Sequence, residues 1–185
     1  MTYGDKPGGY PASSKWLHWL VAASVLLTAP VAIVMHRVGE GPLADTLYNL
    51  HKSLGILILI LMALRLINRI VAGAPAPAPG LEPHERIIST AVHGLLYVLL
   101  IAMAVVGYVA NSAYGATTPF FGLFTLPKIV ADNEALATQL FTVHRWTGWL
   151  VIGLVLAHIG GAMMHFVIKR DTVLQRMLPR ALGGI

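Results

Sequence analysis

The sequence predicts an all-α fold, an integral membrane four-helix bundle with both termini cytoplasmic. Three observations carry that prediction. Of the 185 residues, 56% are apolar and 11% charged, less than half the charged share of about 25% in a soluble domain, and the mean hydropathy is +0.71. The apolar residues gather into four stretches, each near the roughly 20 residues a helix needs to cross the hydrocarbon core. The segments between them are built from residues that cannot continue a helix. At roughly 100–200 residues per domain, the length gives a single domain over residues 1–185.

The first span covers about 16–35 and the second about 47–71, the latter apolar from Leu54 after a polar lead-in. The third covers about 87–110 and the fourth about 140–168. Gly39-Glu40-Gly41-Pro42 breaks the chain after the first span. The run Ala74-Pro75-Ala76-Pro77-Ala78-Pro79-Gly80 is a stiff, extended linker. From Asn111 to Thr138 runs a longer connector with Tyr114-Gly115, Thr118-Pro119-Phe120-Phe121-Gly122-Leu123-Phe124 and Pro127. It is too short and broken to cross a membrane, and its aromatics suit the water–lipid interface, so it reads as a cap on one side. The first span does not read as a signal peptide. It is long, carries His18 near its start, and ends in Met35-His36-Arg37 without a small-residue cleavage pattern.

Orientation follows from the cations on the two sides. With four spans, the N-terminus, the second connector and the C-terminus share one side, which holds Lys6, Lys15, Arg65, Arg69, Arg86, Lys169, Arg170, Arg176 and Arg180. Arg37, Lys52, Lys128 and Arg145 lie on the other, a division of nine against four that places both termini in the cytoplasm. The net charge of +5 is then accounted for by a basic face against anionic lipid headgroups, and no nucleic-acid partner is expected.

The chemistry open to the chain is bounded by what it lacks. Zero cysteines exclude disulfides, iron–sulfur clusters, thiolate zinc sites, cysteine nucleophiles and thioether-linked haem. Eight histidines stand against that absence. Ionisable residues inside spans are costly in lipid and mark functional paths, and four histidines qualify. His18 lies at the cytoplasmic level of the first span and His51 at the outer level of the second. His144 and His158 lie at the outer and inner levels of the fourth. They form one pair at each depth. The fourteen residues between His144 and His158 are nearly four turns, about 21 Å of rise, and leave both on one helix face.

All four have a small residue at i+4 on the same face: His18 with Ala22, His51 with Gly55, His144 with Gly148, His158 with Ala162. A haem bound through its iron spreads over the helix beside its ligand, where a bulky side chain would collide with it. The other four are followed by Glu40, Ile88, Tyr97 and Lys169. Small residues also let membrane helices pack closely, which is the competing reading of the pattern. His51-Lys52-Ser53-Leu54-Gly55 and His144-Arg145-Trp146-Thr147-Gly148 share a second regularity, with a basic residue placed to meet a haem propionate. Without a thiol the haem is non-covalent, a bis-histidine b-type centre suited to one-electron transfer. His93 also sits near the cytoplasmic level and competes with His18 as partner of His158, although bulky Tyr97 follows it. Arg65 and Arg69 read either as propionate partners or as cations snorkelling to the surface.

Ser14-Lys15-Trp16-Leu17-His18-Trp19, Leu50-His51-Lys52-Ser53-Leu54-Gly55 with Arg65 downstream, the His144 and His158 pair, the Phe120–Leu126 run and the ending Lys169-Arg170-Asp171-Thr172-Val173-Leu174-Gln175-Arg176-Met177-Leu178-Pro179 together resemble bacterial cytochrome b561. The resemblance covers nearly the whole chain. It implies a four-helix cytochrome with two haem b groups, passing electrons from superoxide at the periplasmic face to ubiquinone. It implies His18 and His158 as ligands of the cytoplasmic-side haem, His51 and His144 as ligands of the periplasmic-side haem, and a quinone site near Trp19 and His165. The cytoplasmic connector departs from the basic composition the family can show, being Ala-Pro repeats with Glu82 and Glu85.

On this reading Lys52, Arg145 and Lys128, with Arg37, draw superoxide to the outer face, and His165 supplies a proton to the quinone. Lipid anchoring is the competing role for the outer cations, interfacial belt positions for Trp16 and Trp19, and a solvated helix end for His165. Two other function classes stay open: an electron-carrying membrane anchor served by a periplasmic redox partner, and a non-redox transporter using the histidines as a relay.

Overall fold

The structure, a computed structural model, describes residues 8–185; Lys6, one of the cations counted above, lies outside the described residues. Four long helices dominate: α1 (Ala12–Met35), α2 (Pro42–Ala72), α3 (Pro83–Ala113) and α4 (Glu134–Met163). Each is long and apolar enough to cross a membrane. At about 1.5 Å per residue, the 31 residues of α2 and of α3 exceed a hydrocarbon core of about 30 Å. The helices therefore outrun the apolar stretches from which their spans were read. The added turns carry polar residues, and the first turns of α3 and α4 are capped by side chains.

Each added turn has a local cause. Pro42 opens α2 at the first helical position, where no N–H is needed, with Asp45 in its first turn and Arg69 in its last. Glu82 and Glu85 form a reciprocal capping box at the start of α3. Asn133 caps α4 by accepting from the Leu136 N–H at 3.0 Å. Within α1, Pro30 removes a backbone donor. Just before it, Ser24 and Thr28 satisfy their own hydroxyls on the carbonyls of Leu20 and Ser24, at 2.8 and 2.7 Å, as apolar surroundings require. Beyond α4 the helix widens into a π-helical turn, Met164–Lys169, which stops at Arg170 with φ of 52°.

The interfacial connector holds an antiparallel hairpin that the sequence reading did not foresee, β1 (Thr118–Phe120) and β2 (Phe124–Leu126), with Phe120 opposite Phe124. Its tip turns through Phe121 and Gly122, both at positive φ (50° and 74°), closed by the Leu123 N–H on the Phe120 carbonyl at 2.9 Å. Such short strands need an external support. Ser53 of α2 provides it: its hydroxyl accepts from the Phe121 N–H at 2.9 Å and donates toward the carbonyls of Pro119 and Asn49, at 3.0 and 2.8 Å. Lys52 adds a bond to the Thr117 carbonyl at 2.9 Å.

At the opposite end, the Tyr10 N–H bonds the Arg176 carbonyl at 2.9 Å. The Arg176 guanidinium donates to the carbonyls of Gly8 and Ala76, at 3.2 and 2.6 Å. The two ends of the described chain and the Ala-Pro linker thus share one end of the bundle, as four traversals require. We call the two ends the hairpin end and the termini end. Between them lies a buried apolar layer of Val21, Ile58, Met62, Leu100 and Val151. Close backbone seams join α1 to α2, α2 to α3, and α3 to α4. Among the described residues, α4 makes no comparable seam with α1 or α2.

Candidate functional site

Both sequence-read histidine pairs cross the seamless gap between α4 and the α1–α2 pair. His18 of α1 faces His158 of α4 at the termini end, with ring centroids 6.0 Å apart and planes inclined at 73°. His51 of α2 faces His144 of α4 at the hairpin end, also at 6.0 Å, at 90°. The same separation twice has a metrical meaning. A metal–imidazole bond of about 2.0 Å and a nitrogen-to-centroid distance of about 1.1 Å put two rings trans on one metal about 6.2 Å apart. Val151, buried midway along α4 between its two histidines, keeps the levels separate.

The surroundings suit a flat ligand at each level. A Cβ on Gly55 would meet no atom within 4 Å, and one on Gly148 only the Met103 sulfur at 3.9 Å. The small residue one turn from His51 therefore borders open space, and the one beside His144 would meet only a flexible thioether at ordinary contact distance. The Nδ1 of His51 is buried without a hydrogen-bond partner. His144 is held more firmly: its Nδ1 lies 3.0 Å from the Met103 carbonyl. A carbonyl only accepts, so Nδ1 carries the proton and Nε2 keeps the lone pair a metal needs. Gly107 of α3 backs the same ring, since a Cβ there would stand 2.9 Å from His144 Cε1. Met103 and Gly107 were beyond sequence reasoning because their role exists only across the α3–α4 seam. The residues present fit non-covalent haem.

The termini-end level holds a third imidazole. His93 stands 5.0 Å from His158, centroid to centroid, too close for two ligands trans on one metal and closer than His18. Trp19 packs edge-on to His18 with centroids 5.3 Å apart, and its indole N–H donates to the Met177 carbonyl at 3.0 Å. Trp16 is 61% exposed, the position of a belt residue. Arg65 donates to the Ser14 carbonyl at 3.3 Å, and its guanidinium lies 5.6 Å from the Tyr97 ring centroid. It thereby ties α2 to α1 and faces α3.

His165 sits in the π-helical turn with 8% exposure. Its Nδ1 lies 2.5 Å from Asp171 Oδ2 and its Nε2 4.0 Å from Glu85 Oε1; Glu85 also pairs with Lys169. Asp171 is fixed in turn by the Val173 N–H at 2.9 Å. Neither Asp171 nor Glu85 was singled out from sequence as a partner of His165; a π-bulge is set by packing and leaves no local signature. The cations at the hairpin end are spread over three segments. Lys52 is tied to Thr117, Lys128 pairs with Asp132 at 2.6 Å, and Arg145 is exposed beside His144.

A four-helix membrane bundle with facing imidazoles at two depths, each pair spaced for one metal, has the architecture of a membrane cytochrome, where helix-borne histidines grip haem. Residues 9–180 match the family described as prokaryotic cytochrome b561, and the chain belongs to that family. It is a multi-pass bacterial membrane haem protein of electron transport. Cytochrome b561 homolog 2 of Escherichia coli strain K12 is 32% identical to it over 185 residues, covering 98% of this chain and 97% of that one. Cytochrome b561 homolog 1 of the same strain is 28% identical over 171 residues, covering 89% and 94%. A Yersinia pestis protein named Probable superoxide oxidase CybB is 28% identical over 170 residues, covering 90% and 94%.

Proposed function

We propose that this protein is a superoxide oxidase of the bacterial inner membrane, with its hairpin end periplasmic and its termini end cytoplasmic, delivering electrons from superoxide to ubiquinone. The observation that carries the reading is the pair of equal 6.0 Å imidazole separations at two depths. His51 and His144 hold the periplasmic-side haem b, and His18 and His158 the cytoplasmic-side one. When bound, the two irons supply one-electron transfer across the membrane. Two superoxide anions leave as dioxygen, and two electrons with two protons convert one quinone to quinol.

The remaining work belongs to side chains. Superoxide is an anion, and Lys52, Lys128, Arg145 and Arg37 give the periplasmic end a positive field that concentrates it. Lys52 is best placed, next in sequence to His51 and steadied by the Thr117 carbonyl. At the cytoplasmic end Trp19, locked by Met177, offers an aromatic wall to the quinone ring. His165 holds the proton: Asp171 orients the imidazole through Nδ1, and Glu85 stands 4.0 Å from its other nitrogen.

The test is a superoxide pulse on the purified, haem-loaded protein with quinone, followed optically. Rapid haem reduction and one quinol per two superoxide anions are expected, and His165→Gln should slow quinol formation while leaving superoxide-driven reduction intact. Haem that stays oxidised under superoxide but is reduced by a periplasmic redox protein would establish the electron-carrying anchor instead. A reporter fused to the C-terminus checks the orientation and should read cytoplasmic.

A further inference from the structure

His93 has no place in the mechanism above, and its surroundings are unusually specific. Its Nδ1 lies 2.6 Å from the carbonyl oxygen of Ser89, one turn earlier on α3. The carbonyl only accepts, so Nδ1–H donates and Nε2 is left as a bare acceptor. That ring stands 5.0 Å from His158, with planes at 77°. Two imidazoles joined by an N–H···N bond of about 2.9 Å have centroids about 5.1 Å apart. The edge-on separation is within reach of such a bond and shorter than the spacing of two ligands trans on one metal.

The register of α3 against α4 explains why a bridging imidazole is needed there. At the hairpin end, His144 Nδ1 reaches the Met103 carbonyl directly, at 3.0 Å. His158 lies fourteen residues further along α4. On antiparallel α3, fourteen residues back from Met103 is Ser89, so the carbonyl in the equivalent position is the one His93 occupies.

We propose that His93 is a positioning residue for the cytoplasmic-side haem: its Nε2 accepts the Nδ1–H of His158 and relays that ligand to the Ser89 carbonyl. The inference rests on the reading of His158 as an axial ligand. An acceptor on the far nitrogen fixes the ligand's tautomer and raises its basicity, which favours ferric iron. An imidazole acceptor, itself polarised by the carbonyl behind it, does this more strongly than the lone carbonyl available to His144. The two haems are thereby set at different potentials by one side chain on a helix that supplies no ligand.

The experiment is a redox titration and haem count on the haem-loaded protein and on His93→Phe, His93→Leu and His93→Gln, with His51→Ala identifying the cytoplasmic-side signal. Both apolar variants should keep two haems per chain. They should shift the reduction equilibrium of the cytoplasmic-side haem about tenfold toward the ferrous form, or about 59 mV for one electron, and leave the periplasmic-side haem unmoved. His93→Gln, which restores an acceptor, should return most of the shift. Two retained haems with unmoved potentials in the apolar variants overturn the proposal. So does loss of one haem in all three variants, which makes His93 an axial ligand. His158→Ala retaining both haems would instead overturn the ligand reading beneath it, a distinguishable result.

Discussion

The hairpin-end and termini-end histidine pairs share a ring separation of 6.0 Å but are built differently around it. The hairpin-end pair is supported by backbone: the Met103 carbonyl on His144, Gly107 behind the same ring, and a β-hairpin strapped to α2 through Ser53. The termini-end pair is surrounded by side chains, with His93, Trp19 and Arg65 within reach of His18, His158 or the helices bearing them. Backbone support fixes a ligand and offers little to tune. Side-chain support can be altered one residue at a time, which on the proposed function suits the level where potential and proton supply must match a quinone.

Substitutions that act on one level and spare the other test this contrast. The largest effect is expected from the ligands: His51→Ala or His144→Ala should lower haem from two per chain to one and leave the termini-end signal, while His18→Ala or His158→Ala should do the converse, as read by haem extraction and low-temperature spectra. Gly107→Ala comes next. Its Cβ would fall 2.9 Å from His144 Cε1, an overpacking expected to cost about 1–3 kcal/mol. It should weaken haem retention at the hairpin end alone, measured by transfer to a competing apoprotein. Ser53→Ala removes the bonds that hold the hairpin. A loss of about 1–3 kcal/mol in local stability is expected, visible as faster proteolysis across Thr117–Pro127 with the termini-end haem unaffected. The smallest effect belongs to Lys128→Gln. Its pairing with Asp132 is exposed and worth less than about 1 kcal/mol, so superoxide-driven reduction should slow by no more than about twofold, with the difference fading as salt is added.

The parts of this molecule legible in its sequence are those dictated by the bilayer. Apolar runs mark where helices cross, and counting crossings assigns each histidine a depth, so the His18–His158 and His51–His144 pairs follow from topology before any side chain is placed. Of the i+4 glycines read from sequence as haem clearance, Gly55 borders open space, while Gly148 lies within contact range of the Met103 sulfur at 3.9 Å. Helix ends were less legible, because Pro42, Glu82 and Asn133 extend the helices into polar territory that hydropathy ignores. The hairpin was illegible for a different reason: its strands are three residues each and depend on a serine some seventy positions away. Met103, Gly107 and the Ser89–His93 relay needed the α3–α4 register, which single-sequence patterns do not contain.

One feature of the bundle bears on how it is made. Close backbone packing joins α1 to α2, α2 to α3 and α3 to α4, whereas α4 meets α1 and α2 through Val151 in the buried apolar layer and through the two histidine pairs. Insertion into the bilayer therefore completes three close joints of the bundle and, if haem binds between the histidines, leaves the fourth to be drawn tight by it. On the haem reading, the yield of finished protein is set by haem supply during biogenesis as much as by translation. A shortage of haem should then appear as rapid turnover of the membrane-inserted chain, since the ligand stabilises only the closed form.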